Sequence, residues 1–336
     1  MPVSNNSPSM LDRHALACLA FGVIGDAMGT PTELLEPDEI ERRFGWVEAF
    51  EGDGTDDTIM RDLLAAAIIT GGGYATADDW AAEWRARHAE IIGDKVEKFF
   101  PSVLHAADKL RRGYLPRIIA VGTMPSSTSA MAISPVGIVN AGHPRAAAAQ
   151  AMEIASLLHV TDVGFCQDAA AAVAAAIAAA LSTGATVDSV LQAAIENIKP
   201  WSGGEMRTLI SDALALARET ADFKAFRAAY HQRFRRMIAC DSRETVPATL
   251  AIVWLAAGDP WQATVLAANF GRDTDTIGCM AGAICGALSG LDEANEAKLQ
   301  LLPPEILAFQ KTLAGQLTCV RHAKAKAERQ ALSNSI

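Results

Sequence analysis

The sequence predicts an all-α protein, a single multi-helix orthogonal bundle. Three observations carry this. Half of the 336 residues are hydrophobic, yet aromatic residues make up only 6%. Alanine therefore supplies much of the apolar share, and alanine is the best helix former and a poor strand former. Apolar residues recur at helical spacing between capping and breaking residues along most of the chain. No stretch alternates with period two, and no βαβ rhythm, internal repeat or low-complexity linker divides the chain. One domain is expected over residues 11–320, with 1–10 and 321–336 as terminal extensions.

Charge and composition narrow the classes. A formal net charge of −10 argues against a nucleic-acid partner, which needs a basic face for phosphates. The six cysteines (Cys18, Cys166, Cys240, Cys279, Cys285, Cys319) contain no CxxC pair. They read as small hydrophobes in a reducing compartment. Met1 to Met10 is no secretory signal. The longest purely apolar run, Ala169 to Leu181, is shorter than the roughly 18 residues of a bilayer span. A cytoplasmic protein without a membrane partner is expected.

The first element is a helix over Leu11–Met28, with Leu16, Leu19, Ala20 and Val23 as its apolar stripe and Gly22, Gly25 and Gly29 on one face. Each glycine costs about 1 kcal/mol against alanine inside a helix, so close backbone packing is the expected compensation. Asp26 lies within this apolar helix, and a buried carboxylate must be hydrogen-bonded or near a cation. Thr30-Pro31 ends the helix and Glu33 follows on a loop. Residues 51–58, Glu-Gly-Asp-Gly-Thr-Asp-Asp-Thr, form a turn and then a helix start, the helix running over Ile59–Thr70 and closed by Gly71-Gly72-Gly73.

Further helices are expected over Asp78–Glu97, from Pro144 to His159, and over Asp168–Leu181, Val187–Ile198, Glu205–Glu219 and Phe223–Met237. Thr245–Ala256 is expected to begin near Pro247, and a short helix follows over Trp261–Asn269. Residues 113–135, which hold Ser126-Ser127-Thr128-Ser129, read as a loop. A last helix follows Pro303-Pro304, and the charged tail Arg321–Arg329 is expected to be exposed.

Chemistry concentrates at two places. Gly271-Arg272-Asp273-Thr274-Asp275-Thr276-Ile277-Gly278 opens into a small-residue helix with Gly278, Gly282 and Gly286 four residues apart. Such a helix can sit deep in a bundle and carry its first carboxylates into a central cleft. Thr55-Asp56-Asp57-Thr58 is the second place. Each cluster alone could be a helix cap, but a cap needs one oxygen and these offer several. Asp56, Asp57, Asp273 and Asp275 with Thr55 and Thr276 make an oxygen-only ligand set, suited to Mg²⁺ or Mn²⁺ rather than zinc. Two ions fit that ligand count, and four carboxylates together would repel without a cation. His159 reads either as a helix-end residue or as part of a ligand site. No phosphate-binding glycine motif and no nucleophile elbow is present.

Gly22-Val23-Ile24-Gly25-Asp26-Ala27-Met28-Gly29-Thr30-Pro31-Thr32-Glu33, then Thr55-Asp56-Asp57-Thr58-Ile59-Met60, then Gly271-Arg272-Asp273-Thr274-Asp275-Thr276 through Gly282 occur in the order seen in the ADP-ribosylglycohydrolases. That family includes the dinitrogenase-reductase-activating glycohydrolases, and the chain resembles it from about residue 11 to about 320. The resemblance implies an all-α fold, a dinuclear Mg²⁺ (or Mn²⁺) centre and hydrolysis of the bond at the anomeric carbon of a ribose, N- or O-linked. It implies Thr55, Asp56, Asp57, Asp273, Asp275 and Thr276 as metal ligands, and Asp57 or Glu33 as the catalytic carboxylate.

It further implies a substrate-binding loop of Ser127, Thr128, Ser129 and Met131, with His159 of Leu157-Leu158-His159 lining the ligand site. The family's Asn-Gly-Ala-Ala-Met-Arg loop, near the substrate phosphates and ribose, is Ser127-Thr128-Ser129-Ala130-Met131-Ala132 here, without the Asn-Gly turn or the Arg. Arg272 replaces a usual glycine and reads as a positive charge at the cleft or as an ion-pair partner. The implied partner is an ADP-ribosylated protein or a small ribosyl substrate, bound by a monomer or small homo-oligomer. Two alternatives remain: hydrolysis of a small N-riboside or nucleoside-like metabolite, and a non-catalytic ADP-ribose-binding relative.

Overall fold

A computed structural model describes residues 9–89 and 96–334. Among these residues there are eighteen α-helices and no strand, so the all-α expectation holds. The chain is built round two helices, Met10–Gly29 and Thr274–Ser289. The first begins at a capping box: the Ser9 hydroxyl accepts from the Asp12 amide (3.2 Å) and the Asp12 carboxylate accepts from the Ser9 amide (2.9 Å). Ser9 is therefore the helix N-cap, although residues 1–10 were expected to be a terminal extension.

The two glycine faces meet each other. A Cβ on Gly25 would lie 2.0 Å from the Gly278 carbonyl oxygen, one on Gly282 would lie 2.2 Å from that of Phe21, and one on Gly286 would lie 2.4 Å from that of Ala17. As the number rises on one helix it falls on the other, so the pair is antiparallel. This register sets the C-terminal end of the first helix, with Asp26 and then Glu33, beside the N-terminal end of the second, with Asp273 and Asp275. The fold thereby brings segments about 245 residues apart in sequence to one point.

The helices round this pair follow the sequence pattern closely in most places. The helix Asp56–Thr70 ends at Gly71, and Gly72 and Gly73 take positive φ. The Ala-rich helix Phe165–Ala180 is buried almost throughout and packs on Pro144–Ala155 and on Ser134–Val139, where Gly137 approaches Ile177. Met10–Thr32 and Thr161–Ala180 are each long and apolar enough to cross a membrane by length and composition, but 83% and 78% of their apolar windows are buried inside the protein. Helix packing thus accounts for their apolarity, including that of the run at 169–181.

Several boundaries differ from expectation. The helix expected over 78–97 spans Ala77–Ala86; residues 90–95 of that stretch lie outside the described residues, and Val96–Lys98 is a 3₁₀ turn. A separate helix, Pro101–Arg111, starts with proline at its first position. The 113–135 stretch is not a plain loop but contains the short helices Pro116–Ile119 and Thr128–Met131 and the start of Ser134–Val139. Each spans one to two turns, too short for apolar periodicity to register. The helix expected to open near Pro247 opens at Ser242, because the Asp241 carboxylate caps it by accepting from the Arg243 amide at 2.9 Å. Pro247 is carried inside. The last helix, Pro304–Ser333, runs on through the charged segment, most of which is exposed as expected. Lys324 in that segment is buried and donates to Asn140 Oδ1 at 2.7 Å. All six cysteines are free thiols.

Candidate active site

Asp26 fastens the first acidic cluster to the central pair. Its carboxylate accepts from the Thr55 amide (2.9 and 3.0 Å), the Thr55 hydroxyl (2.9 Å), the Thr58 amide (3.1 Å) and the Thr58 hydroxyl (2.6 Å). Gly54, at φ +89°, lets the turn pass so close that a Cβ there would lie 2.3 Å from Asp26 Oδ2. Asp26 therefore already has its oxygens satisfied by the protein, and it aims Thr55, Asp56 and Asp57 at the start of the second helix. Both clusters begin helices, with Thr55 and Asp273 as N-caps. Two helix N-termini thus converge, and their partial positive charge favours the carboxylates gathered there.

The gathered carboxylates are not fully satisfied. Asp57 Oδ2 accepts from Thr276 Oγ1 (3.3 Å) and Thr55 Oγ1 (3.4 Å). Asp57 Oδ1, Asp273 Oδ2 and Asp275 Oδ1 are buried with no hydrogen-bond partner. Carboxylate oxygens of Asp26, Asp57 and Asp275 lie within 4.8 Å of one another, and so do those of Glu33, Asp273 and Asp275. Oxygens ligating one Mg²⁺ at about 2.1 Å stand roughly 3–4 Å apart, so Glu33, Asp273 and Asp275 can close on a cation, while in the other group Asp26 is occupied by Thr55 and Thr58 and leaves Asp57 and Asp275 as donors; Asp275 belongs to both. Burial, then mutual repulsion, pushes Asp57, Asp273 and Asp275 well above the ordinary carboxylate range. Burial and the charges of Asp26 and Glu33 push Asp56 up to about 7, against the lowering effect of a hydrogen bond with the Phe100 backbone. Burial and the charge of Asp26 raise Glu33. Orphaned buried oxygens and hard-oxygen donors fit a divalent cation, which supplies the neutralisation that protons otherwise would.

A narrow cleft of about 320 Å³ of empty space, open solvent at its mouth included, lies over these groups. Of the residues predicted for the site, Glu33, Asp56, Asp57, Asp273, Asp275, Thr276, Ser127, Thr128 and Met131 line it. Phe100 and Cys240 also line it and were missed. A signal existed for both: Phe100 precedes the helix-starting Pro101, and Cys240 precedes the capping Asp241. Thr55 lies just beneath, its hydroxyl 3.5 Å from Asp275 Oδ2.

Ser129, His159 and Arg272 are not brought to the lining. His159 is fully buried and clamps the hydroxyl loop from behind, with Ser126 Oγ 3.1 Å from Nε2 and Ser129 Oγ 2.9 Å from Nδ1. Arg272 takes φ +68°, the left-handed region that favours glycine. Its guanidinium pairs with Glu244 and donates to the Arg236 carbonyl at 2.7 Å. Its backbone exchanges hydrogen bonds with Leu34 N (2.6 Å) and Leu35 O (2.8 Å). Of its two expected roles, the ion-pair one is realised, and the residue fixes the segment that carries Glu33.

The buried clamp has a pH signature. Burial lowers the His159 pKa from 6.5 to about 3, so the folded ring stays neutral while the unfolded ring takes up a proton below about 6.5. Its contribution is present above that pH and is lost as pH falls toward 3. Relative to His159→Gln, the wild type should lose about 1.4 kcal/mol per pH unit across this range. Urea midpoints of the two proteins at pH 7, 6 and 5 measure the difference; parallel pH curves would rule it out.

The ADP-ribosylglycohydrolase family model matches residues 6–324. The chain is 29% identical over 320 residues to a protein of Escherichia coli (strain K12) named "Uncharacterized protein YegU", covering 86% of this chain and 91% of that one. Its fold is similar to that of a solved "ADP-ribosylglycohydrolase-related protein complex", with a TM-score of 0.64 at 19% identity over 93% of this chain and 99% of that one. With the match running through both acidic clusters and the helices that carry them, the chain belongs to the ADP-ribosylglycohydrolase family.

Proposed function

We propose that the protein is a divalent-metal-dependent glycohydrolase that breaks the bond at the anomeric carbon of a ribosyl group. The observation that carries this reading is the set of three buried, unpartnered carboxylate oxygens on Asp57, Asp273 and Asp275 beside one cleft. Asp57, Asp273 and Asp275 would hold the metal, with Asp56, Thr55 and Thr276 completing the oxygen set. When bound, a divalent cation polarises oxygens and orients water and ribose hydroxyls.

The protein's own groups supply the rest. Glu33 lines the cleft half-exposed, with its pKa raised by burial. That suits it to take a proton from the attacking water. Asp57, fully buried and already accepting from two hydroxyls, suits a ligand better than a base. The negative lining also stabilises positive charge developing on the sugar ring. Two classes of ribosyl compound fit this chemistry: an ADP-ribosylated acceptor and a small riboside.

The metal is tested without any substrate. Stripping with a chelator and then adding Mg²⁺ or Mn²⁺ should raise the melting temperature by several degrees, since saturation at 100 times Kd adds about 2.7 kcal/mol. An unchanged melting temperature with both ions, together with hydrolysis that survives chelation, would discard the metal reading.

A further inference from the structure

Resting on the glycohydrolase reading, we infer that the substrate is a phosphate-free riboside of a planar heterocyclic base rather than a compound bearing a diphosphate. Among the described residues no lysine or arginine lines the cleft, whereas five carboxylates do. Several cations on neighbouring segments are paired elsewhere. Arg272 pairs with Glu244, Arg243 with Asp241, and Arg235 with Glu36. Lys98 donates to Asp53 and the Gly54 carbonyl. With five carboxylates and no basic side chain in its lining, the cleft offers a phosphate group no ion-pair partner among the protein's own described side chains.

The hydroxyls of the loop are also committed. Ser127 Oγ donates to the Cys240 carbonyl at 2.8 Å and meets Thr245 Oγ1 at 2.6 Å. Ser129 is held by His159, and Ser126 Oγ bonds Thr128 Oγ1 at 3.0 Å. What else lines the cleft is apolar and polarisable: Phe100, Met131 and Cys240. Those side chains suit the face of a flat, weakly polar ring. In the reaction the oxygen of water bonds to the anomeric carbon, and the carbon–nitrogen bond breaks with its electron pair leaving on the base nitrogen. That nitrogen takes up a proton, and the products are free ribose and free base.

The full chain loaded with Mg²⁺ is assayed on matched pairs, inosine against inosine 5′-phosphate and uridine against uridine 5′-phosphate, and on an ADP-ribosylated arginine. Melting shifts with ribose, ribose 5-phosphate and ADP-ribose are measured in parallel. We expect kcat/KM for each phosphate-free member to exceed that of its partner by at least about tenfold, the factor worth one unfavourable contact of 1.4 kcal/mol. Turnover of the phosphorylated members should rise with ionic strength while that of the others stays flat. Ribose should shift melting more than ADP-ribose does. Preference for the phosphorylated or diphosphate-bearing compounds, in rate or in melting, overturns the inference. If no ribosyl compound is hydrolysed, the glycohydrolase reading fails, and the melting series still decides which ligand the cleft accepts.

Discussion

Asp275→Asn should lower hydrolysis by a factor on the order of 10³ or more, comparable to removing a principal charge-stabilising group from an active site. Asp275 is the residue common to both groups of converging carboxylates. Losing its charge therefore weakens both cation positions, which is not true of Asp56 or Glu33. The same substitution should remove most of the melting shift produced by Mg²⁺. Stability without metal should move the other way. Burial and the neighbouring charges of Asp273 and Glu33 raise the Asp275 pKa, so the ionised form destabilises the metal-free fold. Stability contributed by protonation is present at low pH and is lost as pH rises through the raised pKa. The neutral amide has no such loss, and above neutral pH the metal-free variant should be at least as stable as the wild type. A variant that is inactive, insensitive to Mg²⁺ and well folded is the expected result. Wild-type turnover by Asp275→Asn would remove Asp275 from the machinery.

The sequence carried the parts of this site that depend on local order and missed those that depend on packing. Asp273 to Thr276 and Thr55 to Thr58 are contiguous oxygen-rich runs at helix starts, and both their type and their spacing are visible in one dimension. The glycine faces were also visible, because Gly22, Gly25 and Gly29 on one helix and Gly278, Gly282 and Gly286 on the other follow helical spacing. That the two faces pack on each other is a tertiary fact, and it is what superimposes the acidic runs.

Where a side chain's role depends on which way it turns, the sequence left two readings open. His159 lies behind the hydroxyl loop and Arg272 is adjacent in sequence to Asp273. Yet His159 turns inward to Ser126 and Ser129, and Arg272 turns to Glu244. Phe100 and Cys240 belong to no motif, and they reach the lining because each sits just before the start of a separate helix. Pro247 misplaced a helix start because a proline reads as a beginning, whereas the Asp241 cap six residues earlier had already started the helix.

Gly278→Ala tests the packing on which the whole arrangement depends. In an exposed helix interior this change stabilises by about 1 kcal/mol through helix propensity. At Gly278 the new Cβ would lie 2.4 Å from the Gly25 carbonyl oxygen. Backbone cannot rotate away as a flexible side chain does, so the two helices must separate by the better part of an ångström or more. Overpacking in a core costs roughly 1–3 kcal/mol. Separation here also loosens the contacts at Phe21–Gly282 and Ala17–Gly286, so a net loss of about 3 kcal/mol is expected, and more for Gly278→Val. The displacement falls on the end of the helix that carries Asp275 and Thr276, so the melting shift with Mg²⁺ should shrink as well. Gly315→Ala provides the contrast: it lies in the helix Pro304–Ser333, exposed, with nothing within 4 Å of the added Cβ, and should gain about 0.5–1 kcal/mol. Urea midpoints of the two alanine variants should therefore move in opposite directions from the wild type. Equal midpoints would mean that the central pair is not held by backbone contact, and the register that joins the two acidic clusters would need another cause.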